Sequence, residues 1–388
     1  MNRIVVTAPA RLHFGMFRFA ADEGLQFGGV GMMVDAPAVD VAVSPADEFQ
    51  VLGRFSRRAE ASARGFCRIV DVTRPPACAI EVRRAPPGHT GLGTGTQVAL
   101  AVAAGLHRHL NQPDMTAIDL ARATGRGQRS AIGTYGFLHG GLIVDHGKRP
   151  GDELGQLRER HPLPEDWRVV LVCPSHDRGL HGPAEVRAFA RLPTVPATTT
   201  ERLEAITVQE MLPALKTRNC DAFGEAVYEF GKLAGSCFAE VHGGPFASPE
   251  IARTIHAVRA FGVTGAGQSS WGPTVFAIAT DKQAQDLVAH LLNDCKLDPS
   301  TIALTRPSQS GAVFVNGSAS ILHNLCVAWR ASNSAPARLS APAPNSPRRV
   351  SSLSSATTAA ASAAASPAAT STPPADSSGK ISRVPPTS

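Results

Sequence analysis

Residues 88–97, GHTGLGTGTQ, place four glycines and three threonines in ten positions directly before the apolar run VALAVAAGLHRHL. No other stretch restricts the fold as strongly. A turn this rich in glycine can take backbone conformations closed to other residues. It opens onto a helix whose first N–H groups lack intrahelical partners and whose dipole favours an anion. Ala99, Ala101, Ala103 and Ala104 are small enough to let a helix from about Thr96 to Leu110 lie close against a sheet. The loop Gly91, Leu92, Gly93, Thr94, Gly95, Thr96 and Gln97 is therefore read as a phosphate or pyrophosphate cradle, with threonine hydroxyls adding donors. It is not a Walker loop, because Thr94-Gly95-Thr96-Gln97 stands where Gly-Lys-Ser/Thr is needed. Nor is it a dinucleotide fingerprint: the glycines alternate, and Pro86 and Pro87 separate them from any leading strand. The alternative is a plain glycine-rich surface turn.

A loop without lysine must take positive charge from elsewhere. Arg11 in PARLHFG, Arg83 and Arg84 before the loop, and Arg126 and Arg129 in GRGQRSAIGTYGF can supply it. Taken singly, each reads as a solvated surface charge. Arg126 and Arg129 differ, because they lie in a glycine-punctuated segment before a buried-looking strand, where a guanidinium can present its planar fork to a phosphate or carboxylate. The chain's net charge of +6 says little about partners. Most of it comes from residues 331–388, where five basic residues face one acid, and no basic helix or aromatic-interleaved stripe marks a nucleic-acid binder.

That last segment is rich in Ala, Ser, Pro and Thr and nearly free of large apolar residues, so it is expected to be a disordered tail. Seven scattered cysteines without a CxxC pair indicate neither a disulfide framework nor a zinc site. There is no signal-peptide pattern and no run of about 18 apolar residues, so a cytoplasmic protein without membrane partners is expected. RIVVTAPARLHFGMF reads as two short strands around a proline bend, and DMTAIDLARATG as a helix capped by Asp114 and closed by Gly125. The polar stretch KRPGDELGQLRERHPLPED divides an N-terminal domain, 1–155, from a second, 166–320, which opens on the strand WRVVLVCPS. Helical segments near 201–217, 221–235, 249–260 and 282–295 alternate irregularly with strands, which argues for an α+β fold.

Three segments, APARLHFGMF, PPGHTGLGTGTQVALA and GVTGAGQSSWGPTVFA, resemble the three motifs of the GHMP-kinase superfamily in order and flanking structure over about residues 1–317. The resemblance implies a two-domain GHMP-kinase-like fold, an N-terminal phosphate-loop domain followed by a ferredoxin-like domain. Within the superfamily, ARLHFG, HTGLGTGTQ and GRGQRSAIGTYGFLHGGLIVD are similar to the β-ribofuranosylaminobenzene 5′-phosphate synthase family. That family joins 4-aminobenzoate to phosphoribosyl pyrophosphate in tetrahydromethanopterin biosynthesis, releasing carbon dioxide and pyrophosphate. Kinases of the superfamily use an Asp where this chain has Arg129-Ser130, with no acid before Asp145.

What the resemblance implies for single residues is as follows. Arg126 or Arg129 holds the acceptor carboxylate or the 5′-phosphate, and Arg11 and His13 line the same cleft. Gly265, Ala266, Gly267, Gln268 and Ser269 form a second glycine turn facing the substrate. His176, Asp177, Arg178, His181 and Glu185 are substrate or metal contacts, or else solvated loop residues. Mg²⁺ serves as cofactor, with Asp145 either a ligand or a turn cap. A homodimer is implied by the resemblance alone. Two other readings keep the scaffold: an ATP-dependent small-molecule kinase, and a non-catalytic ligand-binding regulator.

Overall fold

The computed structural model describes residues 3–20, 24–173, 179 and 182–317. The segment 331–388 lies outside them, as do His176, Asp177, Arg178 and His181. The opening strand is a single element. β1 (Ile4–Arg18) runs through Pro9 and pairs antiparallel with β2 (Phe27–Pro45), with register shifts between Ala8 and Ala10 and between His13 and Gly15. Proline has no N–H to donate, and here an interrupted ladder accommodates it where two strands and a bend were expected.

β3 (Gln50–Gly53), α1 (Ser56–Ile69) and β4 (Cys78–Arg84) follow, β3 parallel to β4 and β4 antiparallel to β2. α2 (Thr94–His109) lies across β1 and β2, with every residue from Gln97 to Leu106 buried. Its run of alanines and valines makes that close approach possible. α3 (Ala117–Thr124) is capped by Thr116, not Asp114: Thr116 Oγ accepts from Asp119 N–H, and the Asp119 carboxylate accepts from Thr116 N–H. Asp114 pairs instead with Arg108, 3.0 Å away. α4 (Ile132–His139), β5 (Leu142–Asp145) and β6 (Leu157–His161) complete this half, β5 pairing with the early part of β2.

The second half begins with β7 (Trp167–Val172) and α5 (Gly182–Phe189). α6 (Ala197–Ala205) continues through a π-helical turn into α7 (Leu212–Lys216). Next come α8 (Cys220–Ser236), the short α9 (Ala239–His242), α10 (Pro249–Ala260), β8 (Gly265–Gln268), β9 (Val275–Thr280), α11 (Asp281–Asn293) and β10 (Ile302–Thr305). Four strands form an antiparallel sheet in the order β10-β7-β9-β8. Val170, Val172 and Ala277 pack on one side with Ile255 and Leu287, while Trp167, Leu171 and Phe276 pack on the other with Phe223 and Phe230 of α8.

The chain then returns to the first sheet. Asp35 N–H donates to Arg306 O and Ser308 N–H to Met33 O, and β11 (Val313–Asn316) pairs antiparallel with β1. No helix of the described residues is long and apolar enough to cross a membrane.

Candidate functional site

Gly91 (φ 90°) and Gly93 (φ 69°) both hold left-handed backbone, and Gly93 is the N-cap of α2 with no side-chain hydrogen bond capping the helix. The open end of α2 therefore faces outward as a site for an anion. A Cβ on Gly91 would stand 2.2 Å from the carbonyl oxygen of Ser269. Ser269 itself is buried: its hydroxyl donates to Gly91 O at 2.8 Å and accepts from His13 N–H at 3.1 Å, tying together the loop, β1 and the β8–β9 turn.

The loop borders a cavity of about 1000 Å³. Gly91, Gly93, Thr94, Gly95 and Thr96 line it, and Leu92 and Gln97 do not. Leu92 belongs to the core, and Gln97 Nε2 donates to Gly133 O at 2.9 Å, holding α2 to α4. Two threonine hydroxyls expected as phosphate donors are engaged within the loop segment itself, those of Thr90 and Thr94 both donating to Pro87 O.

Among the described residues, four arginines line the cavity and supply positive charge. Arg11 lies against the loop, its N–H donating to Leu92 O at 3.0 Å and its Nη2 to Gly91 O at 3.3 Å, and burial lowers its pKa to about 10. Arg58 from α1 sits 3.0 Å from where a Cβ on Gly95 would be, and Arg126 Nε is buried without a hydrogen-bond partner. Arg129 pairs with Glu185 of α5 at 2.6 Å and lies 4.7 Å above the Phe189 ring. Arg83 is exposed, and Arg84 is held by Asp40 at 2.8 Å; neither lines the cavity.

His13 is buried, with Nε2 3.1 Å from the hydroxyl of Ser130. Burial, Arg11 and Arg129 all push its pKa well below the usual value, so it is a neutral hydrogen-bonding group. Asp145 lies beneath the cavity rather than in its lining. Its carboxylate accepts from Ala131 N–H (2.7 Å) and Gly147 N–H (2.9 Å), and it is bonded to Ser130. Burial raises its pKa to about 6. Asp145 thus makes the contacts of a turn cap and anchors the Arg129-Ser130 segment.

Gly265, Ala266 and Gly267 lie in β8 and do not line the cavity, so the expected glycine turn is a strand there. The turn follows it. Gln268 lines the cavity, as do Ser270, Trp271 and Gly272. Trp271 belongs to an aromatic wall that the sequence reading missed. Its ring is 4.9 Å from that of Phe238 and 6.1 Å from that of Phe189, while Phe238 and Phe189 are 5.8 Å apart. His242 stacks on Phe238 at 6.1 Å and stands edge-on to Trp271 at 5.0 Å; burial lowers its pKa. Arg58 was also missed, although FSRRAEASARGF shows a helix rich in arginine.

The cavity therefore has two chemically distinct ends, one built of glycine N–H groups and guanidinia, the other of aromatic rings. They meet where Arg129 lies over Phe189. Such a space can seat an anionic group beside a planar aromatic ring.

Residues 211–295 match the GHMP kinases C terminal family. Among solved structures, a homoserine kinase from Cytophaga hutchinsonii superposes with a TM-score of 0.58 at 16% identity, covering 81% of this chain and 98% of that one. The chain is 26% identical over 323 residues to the beta-ribofuranosylphenol 5′-phosphate synthase of Methanocaldococcus jannaschii, covering 75% of this chain and 93% of that protein. It is 30% identical over 336 residues to the protein of the same name from Methanothermobacter thermautotrophicus, across 80% of this chain and 98% of that protein. With that identity over nearly the full length of the relative, the chain belongs to the beta-ribofuranosylphenol 5′-phosphate synthase family.

Proposed function

We propose that this chain is a decarboxylating C-riboside synthase that joins a 4-substituted benzoate to phosphoribosyl pyrophosphate, releasing carbon dioxide and pyrophosphate, at an early step of tetrahydromethanopterin biosynthesis. The acceptor is 4-aminobenzoate or, matching the phenol product in the relatives' name, 4-hydroxybenzoate. The observation that carries this reading is the pairing of an anion cradle and an aromatic wall in one cavity. A kinase reading has less support: Glu185, the acid that lines the cavity among the described residues, is paired with Arg129, and Asp145 is engaged below it.

The chemistry follows from the two ends. The bond between ribose C1 and the pyrophosphate oxygen breaks, building negative charge on the leaving group; the N–H groups at Gly93–Gly95 with Arg11 and Arg58 stabilise it. The para nitrogen or oxygen pushes electron density onto the ring carbon bearing the carboxylate, and that carbon forms the new bond to C1. Loss of carbon dioxide returns the bonding pair to the ring and restores aromaticity, with no net proton gained or lost. Phe189, Phe238 and Trp271 hold the ring, and Arg129 orients its carboxylate by exchanging Glu185 for it. Positioning supplies much of the rate. His13, kept neutral, fixes Ser130 and the Arg129 segment.

Mg²⁺ characteristically binds through substrate phosphates and one or two carboxylates. Glu185 fits that habit, whereas Asp145 does not line the cavity. When bound, the ion would offset charge on the departing pyrophosphate.

The test is incubation with Mg²⁺, phosphoribosyl pyrophosphate and carboxyl-labelled 4-aminobenzoate or 4-hydroxybenzoate. Release of labelled carbon dioxide that requires both substrates is expected. No release, together with protection by ATP against thermal unfolding, would replace this reading with the kinase.

A further inference from the structure

A second cavity, of about 660 Å³, adjoins the first and shares Phe55, Arg58, Gly125 and Arg126 with it. Arg57, Arg68 and Arg122 also line it, and no acidic side chain among the described residues does. Arg122 is neutralised by Glu153. Among the described residues, Arg57, Arg58, Arg68 and Arg126 form no ion pair, whereas Arg64, on the same helix but outside the groove, is held by Glu60 at 2.8 Å. Arg57 and Arg68 are exposed, and Arg58 and Arg126 are half-buried.

Backbone geometry places Arg126. It stands between Gly125 (φ 62°) and Gly127 (φ 77°), two left-handed residues that turn the chain sharply at the end of α3. Its Nε is buried without a partner, and burial lowers the pKa of the half-buried Arg58. Withdrawing Arg126 Nε and part of the Arg58 side chain from water carries a cost that a bound anion would offset.

We propose that this groove is a second phosphate site, distinct from the glycine loop, in which Arg126 and Arg68 bind a phosphomonoester dianion: the 5′-phosphate of the phosphoribosyl donor. The assignment rests on the synthase reading for the identity of the donor. It follows from the placement of the two cavities. The donor carries a pyrophosphate at C1 and a phosphate at C5, on opposite sides of one ribose, and the structure offers two cationic sites joined at Arg58.

Calorimetric titration of the full chain with ribose 5-phosphate and, separately, with inorganic pyrophosphate tests this. Arg68→Gln and Arg126→Gln are each expected to weaken ribose 5-phosphate roughly tenfold or more, as for loss of one charge-assisted contact. In Arg68→Gln, at a residue outside the lining of the first cavity, pyrophosphate affinity should stay within about twofold, and the donor KM should rise with little change in kcat, the sign of lost uniform binding. Phosphoribosyl pyrophosphate should also displace bound ribose 5-phosphate from the wild-type chain. Unchanged ribose 5-phosphate affinity in both variants overturns the proposal, as does ribose 5-phosphate that stays bound under saturating donor, which would make the groove a site for a separate phosphate ligand. If the variants lose ribose 5-phosphate but the wild-type chain turns over no donor, the groove stands as a phosphate site and the synthase reading falls.

Discussion

At the scale of single residues, the glycine loop and Arg129 carry the sharpest expectations. Gly91→Ala would place a Cβ 2.2 Å from Ser269 O at a φ of 90°, so a loss of about 1–3 kcal/mol in denaturant unfolding is expected, with loss of pyrophosphate binding. Arg129→Ala should lower turnover about 10²- to 10³-fold while leaving the melting temperature within a few degrees, because Arg129 and Glu185 are both partly exposed. Full retained activity would remove Arg129 from the mechanism. Asp145 gives a pH signature. Its folded-state pKa is raised from 3.8 to about 6, so its contribution to stability is fully present below the unfolded value and is lost as pH rises through 6. That difference corresponds to roughly 3 kcal/mol. Stability measured against Asp145→Asn should therefore move in favour of the wild type by up to that amount as pH falls from about 7 to 4; a pH-independent difference would contradict it. The sequence pointed to Arg11, His13, Arg126 and Arg129 because glycine punctuation and proximity to the loop are local signals. It said nothing of Arg58, whose role comes from α1 crossing the end of α2.

At the scale of elements, the aromatic wall shows what local pattern cannot reveal. Phe189 sits on α5, Phe238 directly before α9, and Trp271 in the turn between β8 and β9. None has an aromatic neighbour in sequence at a telling spacing. They meet because α5, α9 and the β8–β9 turn converge on one side of the cavity. Trp271→Ala is expected to raise the KM for the benzoate acceptor roughly tenfold, from the lost ring contact, and to leave the donor KM nearly unchanged. Equal effects on both substrates in steady-state kinetics would mean that the wall shapes the whole cavity instead of seating the ring. The helices were legible because apolar residues recur with helical period: α8, α10 and α11 fall within a residue or two of the expected segments. β8 was misread as a turn because Gly-Ala-Gly lacks the side chains that mark a strand, and its place is set by pairing with β9.

At the scale of the whole molecule, the return of the chain matters most. β11 covers the edge of β1 after the polypeptide has built the entire second sheet. Truncation before Ala312 is expected to lower the melting temperature by several degrees, since it uncovers that edge and removes the partner ring of Phe137, Phe314. Removal of 331–388 alone, a segment poor in large apolar residues, should leave melting and activity nearly unchanged. A large loss in the second truncation would show that these residues contribute to the fold.

The sequence by itself determined the loop, the helix it opens, the α+β alternation and the family. The first three rest on backbone preferences and on periodic burial, both written over a few consecutive residues, and the family on the resemblance of its motifs. Only the tertiary structure decided which threonine hydroxyls of the loop are engaged within it, that Asp145 anchors a turn, that a wall of rings lines the cavity, and that a second arginine groove adjoins it. Each of these depends on which groups become neighbours once the chain is packed, and charge and shape at a distance leave no mark on local sequence.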